Sequence, residues 1–464
     1  MKKNTIAAIT TALSNAGIGI IRISGEEAFQ IANEIFVNKF YKKELLNYES
    51  HTIHYGFIME NENIVDEVMI SVMKAPKSYT TENTVEINCH GGIIMMNKIL
   101  DLVIKNGARI AEPGEFTKRA FLNGRIDLSK AEAVMDIIQS KNDFALRASV
   151  KQLKGSLSRA VKILREKILY EIAFIESALD DPEHISLDGY LEELKIKIKN
   201  IKNEIYKLIK NADQGKIIKE GIHTVIVGKP NAGKSSFLNI LLGEERAIVT
   251  EVAGTTRDIL EESVKIGNIV LNLIDTAGIR NTQDIVEKIG VEKAKKYAGE
   301  ADLIVFVVDS SVTFDENDRK ILEIISGKNV IVLLNKTDLN QIITEDNMKL
   351  FLEGQEFSKL EILKTSTKEN IGIDEFEQTI EKMFFDGDIM SNDEIYITNL
   401  RHKEALMETY DSLTMVEKSI SEEMPEDFLS IDLMSAYSSL GFIIGEEVED
   451  DLVTEIFSKF CMGK

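Results

Sequence analysis

Between Gly228 and Ser235 the chain reads Gly-Lys-Pro-Asn-Ala-Gly-Lys-Ser, with the apolar run His223-Thr-Val-Ile-Val227 before it and Ser236-Phe-Leu-Asn-Ile-Leu-Leu242 after it. This is a G-x-x-x-x-G-K-[ST] loop placed between a strand signal and a helix signal, and it constrains the fold more than any other stretch. The glycines let backbone N–H groups turn inward around phosphate oxygens, and the following helix adds its positive end. Lys234 is suited to reach the β and γ oxygens, and the Ser235 hydroxyl to ligate Mg²⁺. Asn231, Ala232, Gly233, Lys234, Ser235 and Ser236 are the candidate cradle for a nucleoside triphosphate.

From His223 onward, apolar runs at 223–227, 269–274, 303–308, 330–334 and 361–365 alternate with amphipathic segments such as 287–299 and 316–326. That rhythm predicts a mainly parallel, doubly wound sheet with ligands at the carboxyl ends of its strands. Four polar motifs fall at such ends or in loops. Thr255 and Thr256, before Arg257-Asp258, lie in a switch-like loop where a threonine completes Mg²⁺ coordination once a γ-phosphate is present. Asp275, Thr276, Ala277 and Gly278 end a strand; the carboxylate supports the metal and the glycine N–H faces the γ-phosphate. Asn335, Lys336, Thr337 and Asp338 end another strand, and the Asp338 carboxylate suits the paired N–H donors of guanine. Ser366, Thr367 and Lys368 stand where a base-capping loop belongs. Each tetrapeptide alone is weak, but together and in order they predict a GTPase, similar to the translation-factor-related G domains.

One position departs from the Ras pattern. Where a glutamine orients the attacking water in Ras-like enzymes, this chain has Ile279, which neither donates nor accepts. Water activation is therefore expected from a nearby carboxylate, Glu287 with Asp284 as rival. A monovalent cation held by Asn231 and switch-loop carbonyls would replace the charge of an arginine finger.

At 464 residues the chain is too long for one core. Its net charge of −22 argues against a basic surface throughout, but nucleic-acid footprints are local. Between Thr117 and Lys167 there are twelve Lys/Arg against five Asp/Glu, which makes this stretch the best candidate for phosphate-backbone contact. Two cysteines form no disulfide framework, and no metal-ligand spacing is visible among them and the six histidines. No apolar run reaches the length of a bilayer span and no cleavable leader is evident, so a cytoplasmic protein is expected.

Residues 1–118 read as α+β, with strands at 5–10, 19–23, 52–58, 67–73 and 84–88 and helices at 26–36 and 93–106. Arg22 sits between isoleucines in one strand; it either meets a bidentate anionic partner or lies on an exposed edge. Cys89 and His90 are adjacent in a strand and point to opposite faces, so a structural role is preferred over a nucleophile–base pair. The pattern is helical from 119 to 217, nearly without breakers from Leu128 to Ala178, and helical again from 383 to 464. This predicts a multidomain chain: an N-terminal α+β domain, an α-helical bundle in two parts (119–217 and 383–464), and an α/β P-loop G domain inserted at 218–382.

Asn231–Ser236, Gly254-Thr-Thr-Arg-Asp258, Glu112-Pro-Gly-Glu-Phe-Thr-Lys-Arg-Ala-Phe-Leu-Asn123 and the terminal Cys461-Met-Gly-Lys464 resemble the MnmE (TrmE) family of tRNA modification GTPases over essentially the whole chain. The resemblance implies a homodimer joined by its N-terminal domains, with no membrane attachment. It also implies a partner, the FAD- and NADH-dependent MnmG, with which C5 of the wobble uridine of certain tRNAs receives an aminomethyl or carboxymethylaminomethyl group. The one-carbon unit is implied to come from 5-formyl- or 5,10-methylene-tetrahydrofolate, and the GTP/GDP cycle to need Mg²⁺ and K⁺. By motif match Asn231, Thr250, Val252 and Thr255 are implied to hold K⁺, Ser235 and Thr256 to hold Mg²⁺, and Glu287 to place the water. The nucleotide loop runs through Thr250, Glu251, Val252, Ala253, Gly254, Thr255 and Thr256. Arg22, Glu86, Arg125 and Lys464 fall at the family's folate-contacting positions, and Cys461 at a cysteine important for modification. Where the family carries a Pro-Gly-Arg-Gly-Gly-type loop before the arginine strand, this chain reads Ala12-Leu-Ser-Asn-Ala-Gly17. The alternative is a ribosome-assembly GTPase of the Era/Der type, which would bind RNA without modifying it.

Overall fold

The structure, a computed structural model, describes residues 4–40, 44–181, 183–184, 189–243, 262–274, 297–385, 394–461 and 463, with the backbone alone at 213 and 450. It divides into two compact units: Met1–Met135 with Gln152–Leu191 and Ser412–Lys464, and Asp136–Lys151 with Glu192–Asp411.

The first unit is built on a sheet of strands β1 (Ile6–Ile9), β2 (Ala16–Ser24), β3 (Phe36–Asn38), β4 (Thr52–Glu60), β5 (Asn63–Met73), β6 (Thr84–Gly91) and β7 (Arg109–Ile110), in the order β3-β4-β5-β6-β2-β1-β7. Neighbours are antiparallel except the short β1–β7 pair. Strict alternation drives the packing, because successive side chains leave a strand on opposite faces. One face turns Ala7, Ile21, Ile23, Val85, Ile87 and Ile70 onto helices α1 (Ala28–Ile35) and α2 (Ile93–Lys105). On the other, Ala8, Arg22, Glu86, Ser71 and Ile53 lie in cross-strand register.

After α3 (Glu115–Leu122), the near-unbroken helix expected from Leu128 to Ala178 is broken twice, into α4 (Leu128–Gln139), α5 (Asp143–Leu153) and α6 (Ser156–Asp180). At the first break the Asn142 side chain accepts the Ala145 N–H at 2.7 Å, capping α5 as only a short polar side chain does. At the second, Gly155 takes φ +85°, a left-handed conformation that ends a helix without a Cβ clash. The helix Glu426–Ile444 packs on α6. By length and composition it is apolar enough to cross a membrane, which amends the sequence expectation, and half of its apolar window is buried in the protein.

The second unit carries β8 (Ile222–Val227), β9 (Glu262–Ile266), β10 (Ile269–Leu273), β11 (Leu303–Asp309), β12 (Asn329–Asn335) and β13 (Lys359–Lys364), ordered β13-β12-β11-β8-β10-β9. All neighbours are parallel except β9, an antiparallel edge strand that periodicity did not reveal. β11 and β12 are buried on both faces, as in parallel sheets covered by helices, with Val305 and Ile331 in one core and Phe306 and Val332 in the other. The chain enters this sheet through α7 (Tyr190–Glu220) and leaves it through 394–399. These two segments touch: a Cβ on Gly215 would lie 2.2 Å from Ile397 O. Asp136 pairs with Lys219 at 2.8 Å and accepts the Thr398 hydroxyl at 3.3 Å. Entry and exit side by side are what an inserted domain requires.

Candidate nucleotide and anion sites

The phosphate loop follows β8, the strand flanked by β11 and β10, and leads into α8 (Lys234–Leu241). Its shape depends on backbone that side chains disfavour: Gly228 at φ +150°, Asn231 at +61° and Gly233 at +105°. Space is equally restrictive. A Cβ on Gly228 would sit 2.2 Å from Val307 O, and one on Gly233 2.1 Å from Asn335 Nδ2. The Lys234 ammonium donates to the carbonyls of Gly228 and Lys229, each at 2.7 Å, and so lies across the loop. Asn231, Ser235 and Ser236 are exposed at its mouth, whereas Ala232 is buried.

The expected base loops converge on this loop through one residue. Asn335 is fully buried. Its amide donates to Ala232 O at 2.8 Å and its carbonyl accepts the Thr367 N–H at 3.1 Å. The Ser366 hydroxyl donates to Asp338 Oδ1 at 2.7 Å, and Thr337 N–H and hydroxyl both donate to Thr365 O, at 3.1 and 3.0 Å. Phosphate loop, Asn335–Asp338 and Ser366–Thr367 thus form one hydrogen-bonded assembly at the carboxyl ends of parallel strands, with Lys368 exposed beside it. Thr250, Glu251, Val252, Ala253, Gly254, Thr255, Thr256, Asp275, Thr276, Ala277, Gly278, Ile279, Asp284, Glu287 and Lys464 lie outside the described residues.

Sequence reasoning missed the supports of this assembly. Lys229 bridges Asp318 at 2.7 Å and Asp315 at 3.2 Å, anchoring the first turn of the phosphate loop to the start of the helix Glu316–Ile325. Burial works against its charge, but the two carboxylates raise the ammonium above its ordinary pKa. Asp309, at the end of β11, pairs with Lys336 at 2.5 Å. The signal available for Asp309 was position, since it closes an apolar strand at its carboxyl end.

In the first unit Arg22 has found its anionic partner. Glu86 stands opposite it in register and accepts from Nε at 2.8 Å and Nη2 at 2.7 Å. The guanidinium lies 5.6 Å from the Tyr79 ring centroid and 5.4 Å from that of Phe116, while Nη1 is buried without a hydrogen-bond partner. Arg125 covers the same tyrosine at 4.6 Å and donates to Tyr79 O at 3.1 Å. Two cations and one carboxylate thus surround one aromatic ring, a grouping with the chemistry to receive an anion that carries a flat group. The C-terminal tail returns here: Gly114 N–H donates to Cys461 O at 3.4 Å, and a Cβ on Gly463 would meet Ile9 O at 2.5 Å.

Cys89 is buried against Gly19 O, and burial pushes its thiol up to about 11. His90, on the opposite face, meets Asp66 at 2.6 Å. The basic stretch from 117 to 167 is partly committed internally, since Arg119 binds Glu115 and Glu82, and Arg165 binds Glu446 and lies 3.9 Å from the Tyr437 ring.

Comparison with known proteins places this architecture. The family model described as the MnmE helical domain matches residues 128–461, and that of the GTP-binding protein TrmE N-terminus matches residues 5–125. The tRNA modification GTPase MnmE of Lachnoclostridium phytofermentans is 57% identical over 464 residues, covering 100% of both chains. That of Clostridioides difficile is 49% identical over 461 residues, covering 99% of both. With a phosphate loop and guanine-type loops joined by Asn335 in one unit, and likeness along the whole length, the chain belongs to the MnmE family of tRNA modification GTPases.

Proposed function

We propose that this chain hydrolyses GTP in a K⁺-dependent cycle and, together with MnmG, uses that cycle to modify C5 of the wobble uridine of certain tRNAs with a tetrahydrofolate one-carbon unit. The observation that carries the reading is the full-length likeness to MnmE proteins, which reaches the N-terminal and helical parts that a ribosome-assembly GTPase would not share. Its organisation is read as 1–118, 119–217 with 383–464, and an inserted 218–382.

Several features support the finer parts. Of the expected cation ligands, Asn231 and Ser235 offer an amide and a hydroxyl oxygen at the mouth of the loop, donors that suit hard cations such as Mg²⁺ and K⁺. The buried, unpartnered Arg22 Nη1 and the stacked Arg125 fit a folate, whose carboxylates would complete the guanidinium and whose ring would lie among aromatic side chains. Ile53 (65% exposed), Met69 (46%) and Tyr55 share the sheet face of Arg22, an apolar surface that suits a homodimer joined by this sheet. Glu287 as the water-placing carboxylate, and Cys461 with Lys464 near the folate, complete the reading. tRNA would meet the basic residues of 117–167 that are not committed to Glu82, Glu115 and Glu446, and the protein would work in the cytoplasm.

The test is reconstitution of the purified chain with MnmG, GTP, a reduced folate and tRNA lacking the modification, followed by nucleoside analysis. The modified uridine should appear only with all components, and GTP hydrolysis should fall when Na⁺ replaces K⁺. Unchanged uridine would overturn the modification reading; equal rates in Na⁺ would overturn the cation. Product formed without folate would overturn the one-carbon source.

A further inference from the structure

β11 ends on Asp309, which Ser310 follows, beside the Asn335–Asp338 loop that closes β12. Asp309 Oδ2 accepts the Lys336 ammonium at 2.5 Å, and its Oδ1 accepts the Ser311 N–H at 3.0 Å and hydroxyl at 2.6 Å. Ser310 donates to Asn335 O through both its N–H, at 3.0 Å, and its hydroxyl, at 2.7 Å. The Asp309 side chain is 12% exposed, so solvent screens this pair weakly. Lys336 itself stands at φ +65°, a left-handed conformation that residues with a Cβ keep only where surrounding bonds over-determine it. Asp309 and Ser310 supply part of that bonding, beside the Leu339 N–H donated to Lys336 O at 3.0 Å and the Thr337 N–H donated to Thr365 O at 3.1 Å.

The charge of Asp309 has a consequence at a polyphosphate site. A loose ammonium beside phosphates is drawn to the nearest anionic oxygen, and Lys336 would then pull Asn335 and Asp338 with it. A carboxylate at 2.5 Å competes for that ammonium and holds it at the base end. Burial opposes the charge on Asp309, yet the hydrogen bonds from Lys336 and Ser311 keep its carboxyl below the ordinary carboxylate value, so it is ionised at neutral pH.

We infer that Asp309 is a positioning residue for guanine-nucleotide binding, fixing Lys336 so that Asn335 and Asp338 are presented to the base. The inference rests on the GTPase reading above. Asp309→Asn keeps the size and the Ser311 contact but removes the charge. In the full-length chain it should raise KM for GTP and Kd for a fluorescent GDP about tenfold, the scale of one lost charge-assisted hydrogen bond, while kcat holds. Lys336→Met should show a similar loss, and the double variant no more than the single ones. Asp309→Glu, which retains the charge, should recover part of the affinity. Wild-type GDP affinity in Asp309→Asn would overturn the inference, as would additive losses in the double variant or a loss that tracks a fall in Tm. If the wild-type chain bound no GDP, the GTPase reading would fall and take this inference with it.

Discussion

The nucleotide site and the Arg22 site place their chemistry in different parts of the polypeptide. Around the phosphate loop, Gly228, Asn231, Gly233 and Lys336 all take positive φ, and the cradle is main chain held by short hydrogen bonds. On the N-terminal sheet the backbone is ordinary strand, and the site consists of side chains: Arg22 and Glu86, 64 residues apart, with Tyr79, Phe116 and Arg125 around them. A backbone site is most sensitive at its glycines and less so at the charge pairs that hold its backbone, Lys229 with Asp318 and Lys336 with Asp309. A side-chain site has the reverse sensitivity, because the charge of Arg22 is neutralised by a residue that another strand supplies.

Four substitutions sharpen or break that contrast. The largest effect is expected from Lys234→Ala, which removes the cation aimed at the phosphates. GTP turnover should fall about a hundredfold or more, with the carbonyls of Gly228 and Lys229 also losing a donor in the free chain. Turnover near wild type would show that the loop does not act on phosphate. Next, Gly233→Ala forces a Cβ to 2.1 Å from Asn335 Nδ2 at a φ of +105°, and should cost about 1–3 kcal/mol in denaturant unfolding as well as nucleotide affinity. Unchanged stability would mean the loop is less over-determined than its geometry indicates.

Third, Glu86→Gln should cost about 1–3 kcal/mol, since Arg22 keeps its charge in a largely enclosed place and loses its counter-ion. Titration calorimetry with a reduced folate should show weaker binding, and urea unfolding a lower midpoint. A neutral outcome in both would remove the argument for a side-chain site.

The smallest effect is at His90, which is exposed. Its hydrogen bond to Asp66 raises the imidazole above its ordinary pKa. A folded-state pKa raised above the unfolded one stabilises the fold below the unfolded pKa, and that stability is lost as pH rises through the folded pKa. The Tm difference between wild type and His90→Ala should therefore be larger in mild acid than in alkali. An NMR titration should show the His90 transition moving down in Asp66→Asn; an unmoved transition would exclude the pair.

Legibility followed the same contrast. The phosphate loop and the Asn335–Asp338 and Ser366–Lys368 motifs were readable because each is a run of adjacent residues with local backbone demands. Cys89 and His90 could be separated by strand alternation alone, and the structure has them on opposite faces. Arg22 was readable as either meeting an anionic partner or lying on an exposed edge, and the choice and the partner were not, since nothing local to 22 names 86. The breaks at Asn142 and Gly155 escaped because a polar cap and one glycine weigh little against a long apolar period. The excess of basic residues from 117 to 167 suggested a nucleic-acid face, yet Arg119 and Arg165 turn inward to carboxylates from distant segments.

By itself the sequence determined the class of ligand, the alternation of strands and helices around it, and the family, because those depend on adjacent residues and on periodicity. The tertiary structure decided which charges neutralise one another: Arg22 with Glu86, Lys229 with Asp318, and Lys336 with Asp309. Such pairs depend on strand register and on which strand ends lie side by side. Both are set by burial of the whole sheet, so no local stretch of sequence encodes them.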